Sequence, residues 1–183
     1  MSCDEKRRST EMMELYCRSI QPQDTATLLS YVQQLSGETK SYFAPHPFDQ
    51  ETVQKVCAGA YPRCKAFVAM ESTTIVAYAI VREGLSEGEM FRFPGYGITY
   101  DAENDYLLAP SVADAHQGKG IGSQLLHFVE ETVLKSGALR LVLWGGVQQR
   151  NQTAVRYYEK NGFQVVGTFH HEGLDNLDMM KSL

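Results

Sequence analysis

Within Gln117-Gly118-Lys119-Gly120-Ile121-Gly122-Ser123, three glycines alternate with larger residues directly before an amphipathic stretch. Glycine permits tight turns and close approach of successive N–H groups to a ligand, and the start of a helix adds a positive dipole end. Together these features suit a pyrophosphate, with Lys119 able to add a positive charge. Later in the chain, Asn151, Ala154, Tyr158 and Gly162 follow one another at helical spacing. Tyr158 lies one turn after Ala154 and one turn before Gly162, so its ring shares the face on which Ala154 leaves room for a neighbour. Asn151 has the residue type of a helix N-cap.

Spacing separates the known kinds of phosphate turn. A Walker loop needs its lysine directly after the last glycine, whereas Lys119 precedes both Gly120 and Gly122. A dinucleotide fingerprint needs a small residue at its sixth place, which Ser123 only loosely supplies, and an acid ending the next strand. Here that strand ends in Trp144-Gly145-Gly146. A glycine turn without a ligand would carry the entropic cost of three glycines for no use.

The two segments taken together point elsewhere. Gln117-x-x-Gly120-x-Gly122 resembles the acyl-CoA motif of the GCN5-related N-acetyltransferase (GNAT) superfamily. In the same order, Asn151-x-x-Ala154-x-x-x-Tyr158-x-x-x-Gly162-Phe163 resembles that superfamily's second motif. The resemblance covers Tyr106 to Phe169 and implies an acetyl-CoA site between two parallel strands that splay apart, here Tyr106 to Val112 and Leu139 to Trp144. It implies that the pantetheine arm pairs with backbone near Ser111 and Val112. The diphosphate would rest on the N–H groups of Gln117, Gly118, Lys119, Gly120, Ile121, Gly122 and Ser123, where a side chain at Gly120 or Gly122 would intrude. Asn151 would add a contact with the pantetheine, and Tyr158 takes the position of the family's general acid. A backbone N–H at a bulge in the first strand would stabilise the oxyanion, and Pro110, which cannot donate to a ladder, fits such a bulge. The implied reaction is direct attack of a primary amine on the thioester in a ternary complex, with acetyl-CoA as the acyl-donor cosubstrate.

The general base does not carry over, because Leu107 and Leu108 stand where many relatives place a glutamate. Glu103 and Asp105 are the nearby acids that can act through water, or else solvated loop charges. Asp114 is expected to order N–H groups of the glycine turn. The acceptor, a small-molecule amine or a protein or peptide amine, is expected between Tyr42–Phe48 and the connection from Gly84 to Asn104. Glu87, Glu89, Asp101, Glu103 and Asp105 stand against Arg92 there and would attract a cation. A longer acyl donor, an oxygen acceptor, and a non-catalytic acyl-CoA-binding sensor or interaction module of the same fold stay open.

The elements that must position these residues follow from hydrophobic periodicity and caps. Leu15 to Ile20 reads as a strand. Asp24 caps a helix to Gln34, Asp49 caps another from Glu51 to Ala58, and Gly37 to Pro47 connects them. Cys64 to Met70 and Thr74 to Val81 form a hairpin, and Tyr106 to Val112 is the next strand. A helix after Gly122, the strand Leu139 to Trp144, a helix from Asn151, and the strands Phe163 to Phe169 and Leu174 to Met180 complete the order. The fold class is α/β: a mixed, mostly antiparallel central sheet with two splayed parallel strands, flanked by helices.

The 183 residues are 43% apolar and 21% charged, the composition of an ordinary globular chain. Residues 1–12 are expected to be loose and residues 13–183 to form one domain. Such a chain buries roughly 70% of its unfolded surface and needs no disulfide or metal to fold. Seventeen Lys and Arg against 22 Asp and Glu give a net charge of −5, which disfavours nucleic acid as a partner. The longest apolar run, Ile75 to Val81, falls far short of the ~20 residues of a membrane helix, and Met1 to Arg8 lacks a signal peptide's apolar centre. A cytoplasmic location without a membrane partner is the expectation. Cys3, Cys17, Cys57 and Cys64 form no CxxC pair, and the five histidines form no ligand motif, so reduced thiols and no metal site are expected. The oligomeric state stays open between monomer and homodimer.

Overall fold

A computed structural model describes residues 15–183. The expectation for residues 1–12, and Cys3, lie outside them. Strand β1 (Leu15–Ser19) is followed by a 3-10 turn (Pro22–Asp24) and helices α1 (Thr25–Gln34), α2 (Gly37–Tyr42) and α3 (Gln50–Cys57). The hairpin β2 (Cys64–Glu71) and β3 (Thr74–Glu83) leads to α4 (Glu87–Arg92), a 3-10 turn (Phe93–Tyr96) and β4 (Asp105–Val112). A turn at Asp114–His116 precedes α5 (Ile121–Leu134), β5 (Arg140–Leu143), β6 (Val147–Gln148), α6 (Gln152–Lys160), β7 (Gln164–His171) and β8 (Leu174–Ser182).

The strands form one sheet in the order β1-β2-β3-β4-β5-β8-β6, with β7 on the other edge of β8. Among these strands β4 and β5 alone run parallel. Both faces of the sheet are covered, which explains why its central strands are apolar without alternation. Phe67, Ala77, Ala79 and Val81 pack with Leu125, Val129 and Val133 of α5 on one face. On the other, Val68, Tyr78 and Ile80 pack with Leu28 and Val32 of α1 and Val53 and Val56 of α3. Each of the Val, Leu, Ile and Phe side chains among them stabilises by about 1.5–3 kcal/mol when fully buried, against about 0–1 for a surface ion pair. The apolar faces therefore fix where the helices lie.

Several local features differ from the expectations. The connection from Gly37 to Pro47 contains α2, capped by Ser36, whose Oγ accepts the Thr39 N–H at 3.1 Å. No residue of α2 is buried, so no apolar period marks it in the sequence. The connection from Gly84 to Asn104 contains α4, which begins with a capping box between Ser86 and Glu89. Asp24 does not cap α1 through its side chain. Its carboxylate accepts from the Arg18 guanidinium at 2.6 and 2.8 Å and from the Gln21 N–H at 2.8 Å. The Arg18 hydrogen bonds hold that carboxyl below the usual range. Asp49 does cap α3, accepting the Thr52 N–H at 2.8 Å.

Pro110 causes no bulge. The β3–β4 register runs unbroken, with Ala79 opposite Pro110. Ala113 N–H bonds Val76 O and Trp144 N–H bonds Leu108 O, both at 2.9 Å, so alternation along β4 turns the Pro110 nitrogen toward β5. Pairing with β5 has already ended at Leu108 opposite Leu143. The missing N–H thus falls on an edge that has no partner.

Beneath the sheet, His46 is buried among Phe48, Tyr61 and Tyr78. Its Nδ1–H donates to Pro47 O and its Nε2 accepts from the Tyr78 hydroxyl, both at 2.8 Å, in the neutral tautomer these partners require. Burial lowers its pKa below the ordinary value of 6.5. Below that pH the unfolded chain takes up a proton that the folded chain refuses, so stability falls as pH falls. We expect the melting temperature to drop between about pH 7 and pH 5, before carboxylates of ordinary pKa near 4 titrate. His46→Gln, which can still pair with Tyr78, should flatten that slope in thermal melts. An unchanged slope would exclude His46 as its source.

Candidate functional site

The sheet opens where β4 and β5 part. Beyond Leu108 and Leu143, β4 continues beside β3 alone, while the chain after β5 turns at Gly145 and Gly146 to rejoin β8 as β6. Both glycines have positive φ, +73° and +70°. A Cβ on Gly146 would lie 2.6 Å from Leu177 O and 2.9 Å from the Phe169 ring, so only glycine fits. Buried Glu89 holds this turn from α4, its Oε1 accepting the Gly145 N–H at 2.9 Å.

The gap continues into a cleft of about 440 Å³. Ser41, Tyr42, Phe43, Ala44 and Pro45 wall one side, whereas His46 to Phe48 of the expected stretch do not line it, and Leu108, Pro110, Leu143, Trp144 and Tyr158 form its base. The other wall is Gly145, Gly146, Gln148 and the β7–β8 hairpin, with His171 and Glu172. The Gly84–Asn104 connection contributes no lining residue, which corrects the expected acceptor wall. Its acids are mostly occupied elsewhere. Glu89 holds Gly145, and Asp101 accepts from the Glu103 N–H at 2.9 Å and the Asn104 amide at 2.7 Å. Asp105 is buried in a two-point pair with Arg140 at 2.5 and 2.6 Å, at the closed end of β4. Neither Asp105 nor exposed Glu103 beside it lines the cleft. Arg92 is likewise taken up, bonding buried Asp178 at 2.7 and 2.8 Å.

The glycine turn enters α5 beside the end of β4. Gly118 and Gly120 have φ of +73° and +81°, and a Cβ on either would meet open space. Gly120 occupies the N-cap position, and the first helical bond is Gln124 N–H to Gly120 O at 3.1 Å. The N–H groups of Ile121, Gly122 and Ser123 precede that bond and have no intrahelical acceptor. These are the groups that can hold a diphosphate. Gly122 has a different constraint: its Cβ would meet the Tyr157 ring and the Val112 methyl at 3.3 Å, so the pressure there is packing between α5 and α6. Gln117 fastens the turn to the strand, its Nε2 donating to Val112 O at 3.2 Å, and Lys119 is exposed beside it. Ile121 points its side chain into the core.

The two strand residues differ in facing. By the alternation above, the Val112 backbone faces the gap, whereas the Ser111 backbone faces β3. The Ser111 hydroxyl is buried 2.9 Å from the Tyr31 hydroxyl. With a proline at the gap-facing position after Leu108, the oxyanion donor expected from a bulge is not offered there. The next gap-facing N–H on β4 is that of Val112.

Tyr158 reaches the cleft from α6, packed 5.4 Å from the Phe163 ring and 5.1 Å from the Tyr157 ring. Burial, with Tyr157 adding to it, pushes its hydroxyl well above the tyrosine range. The proton therefore stays on at neutral pH, and the group can donate one. Asn151 caps α6, its Oδ1 accepting the Ala154 N–H at 3.2 Å. Asp114 accepts from Ser36 and Thr39 rather than from N–H groups of the glycine turn. The Thr39 hydroxyl, then the Ser36 N–H, lowers its pKa. Sequence reasoning missed Trp144, His171 and Glu172. Trp144 was open to detection as a lone tryptophan before two glycines, but the hairpin pair carries no local signal. Among the described residues no three His, Cys, Asp or Glu side chains cluster as metal ligands would, and no helix is long and apolar enough to cross a membrane.

Comparison with known proteins agrees with this geometry. The profile of the acetyltransferase (GNAT) family matches residues 30–163. The chain belongs to that family. Uncharacterized N-acetyltransferases of Mycobacterium bovis and Mycobacterium tuberculosis are 31% identical over 121 residues, 61% of this chain and 64% of theirs. The chain thus spans less than two thirds of the length of these curated relatives. Solved structures share the fold at low identity. The GNAT domain of S. lividans PAT superposes with a TM-score of 0.70 at 20% identity, covering 91% of this chain and 89% of that one. A PaiA N-acetyltransferase of Thermoplasma acidophilum in complex with coenzyme A gives 0.66 at 18% identity, covering 93% and 100%. AAC(6')-Ib in complex with paromomycin and acetyl-CoA gives 0.68 at 20% identity, covering 92% and 93%.

Proposed function

We propose that the protein transfers the acetyl group of acetyl-CoA to a primary amine by direct attack in a ternary complex. The observation that carries this reading is the convergence, where the sheet splits, of free helix-start N–H groups on one side and the Tyr158 hydroxyl in a cleft on the other. In this account Gly118 to Ser123 hold the diphosphate, Val112 offers backbone to the pantetheine arm, and Asn151 keeps α6 in place. Tyr42 and Trp144 wall the acceptor. The amine nitrogen attacks the thioester carbonyl carbon, the C–S bond breaks with its electron pair passing to sulfur, and Tyr158 gives the thiolate a proton. Water takes the proton lost by the amine, and solvent restores the Tyr158 proton. Holding both reactants in one cleft supplies much of the acceleration. The complexes of fold relatives with coenzyme A, acetyl-CoA and paromomycin support both halves of the proposal.

The donor site is tested by titrating isotopically labelled protein with acetyl-CoA and following backbone amide resonances. The signals of Val112, Gly118, Gly120, Ile121, Gly122 and Ser123 should move together at one affinity. Absence of binding, or shifts confined to other surfaces, would remove the donor site.

A further inference from the structure

No residue of α2, which forms the acceptor wall, is itself buried; Leu35 before it and Phe43 after it enter the core under the sheet, and between those anchors polar contacts fasten the helix at both ends. At its C-terminal end Gln148 Nε2 donates to Ser41 O at 3.2 Å, and the Arg150 guanidinium lies 5.9 Å over the Tyr42 ring. At its N-terminal end Asp114 receives three bonds. The Ser36 N–H reaches Oδ2 at 3.0 Å, and the Ser36 and Thr39 hydroxyls each reach Oδ1 at 2.7 Å. Asp114 stands three residues before Gln117, where the glycine turn begins. α2 is therefore a strap across the cleft, tied on one side to β6 and on the other to the base of the turn.

We infer that Asp114 is a positioning residue that joins the acceptor wall to the donor turn, so that a ligand on the turn steadies the wall. The inference rests on the reading of Gly118 to Ser123 as the donor site. A six-residue helix is far below the ~12–15 residues that hold helical structure alone, so its order depends on its ties. Hydrogen bonds to a carboxylate are stronger than neutral ones, which makes Asp114, with three of them, the strongest of its polar ties. Ordering the turn restrains Asp114, and the strap then has less freedom left to lose when an acceptor binds. The signature is positive coupling between donor and acceptor carried by one side chain.

Hydrogen exchange of the whole protein, with and without coenzyme A, tests this directly. In the wild type the ligand should slow exchange at both residues 118–123 and residues 37–45. In Asp114→Asn, binding by calorimetry and protection of residues 118–123 should persist, while protection of residues 37–45 disappears. Thr39→Val, which leaves the donor side untouched, should weaken it in the same direction. In turnover, Asp114→Asn should raise the acceptor KM roughly tenfold, within the usual range of coupling, without moving the acetyl-CoA KM. A role confined to folding would move the melting temperature and both KM values together. Protection of residues 37–45 that survives in Asp114→Asn, or an unchanged acceptor KM, overturns the coupling while leaving the donor site standing. Failure of coenzyme A to bind the wild type overturns both.

Discussion

Tyr158→Phe should lower kcat by ~10² to 10⁴, the usual effect of removing a positioned acid, while acetyl-CoA affinity and melting temperature stay near wild type. The substitution keeps the ring that packs against Phe163 and Tyr157 and removes only the hydroxyl. Burial holds that hydroxyl protonated at neutral pH, so it can serve the leaving thiolate but cannot serve as the base. Tyr157 provides the control. Its hydroxyl is buried without a hydrogen-bond partner among the described residues, against Gly122 and Val112. A buried unpaired polar group costs about 1–3 kcal/mol, so Tyr157→Phe should leave kcat unchanged and raise the melting temperature. Steady-state kinetics with thermal melts decide the matter. Full activity in Tyr158→Phe would take the residue out of the chemistry, and a fall in melting temperature without a fall in rate would assign it to packing.

Gly120→Glu should reduce acetyl-CoA affinity by at least about a hundredfold while the protein remains folded. A like charge about 4 Å from a phosphate opposes binding by about 4 kcal/mol at intermediate dielectric, before screening by salt. A side chain at Gly120 projects into open space above the turn, where the proposed diphosphate lies, and so displaces no protein atom. The left-handed backbone, φ +81°, adds roughly 1–2 kcal/mol of strain, which the fold can bear. Gly120→Asn is neutral and tolerates that conformation, so it should retain most of the affinity. Calorimetry with far-UV circular dichroism checks all three proteins. Wild-type affinity in folded Gly120→Glu would move the donor site away from the turn.

The central sheet and the helices with buried faces were legible because each follows a hydrophobic period. α5 shows Leu125, Val129 and Val133, and β2 and β3 are apolar runs separated by a polar turn. The glycine turn and α6 were legible because their motifs are local in sequence. α2 was not, since it buries nothing and is held by contacts with Asp114 and Gln148 that lie far along the chain. The acidic connection misled for a related reason. Its partners, Arg140 for Asp105 and the Gly145 N–H for Glu89, come from elements brought near only by β5 pairing with β4. Pro110 marked a real discontinuity, but which edge of β4 it interrupts depends on register, and register is set by the neighbouring strands.

The proposed passage of an acetyl group from acetyl-CoA to an amine in this cleft has a direct chemical readout. It is tested most directly by incubating the protein with carbonyl-labelled acetyl-CoA and a panel of primary amines, following free thiol and labelled amide together. Thiol release should require an accepted amine, one labelled amide should form for each thiol, and both should fall together in Tyr158→Phe. Tight binding with no amide from any amine, or thiol release matched by free acetate instead of amide, would contradict it.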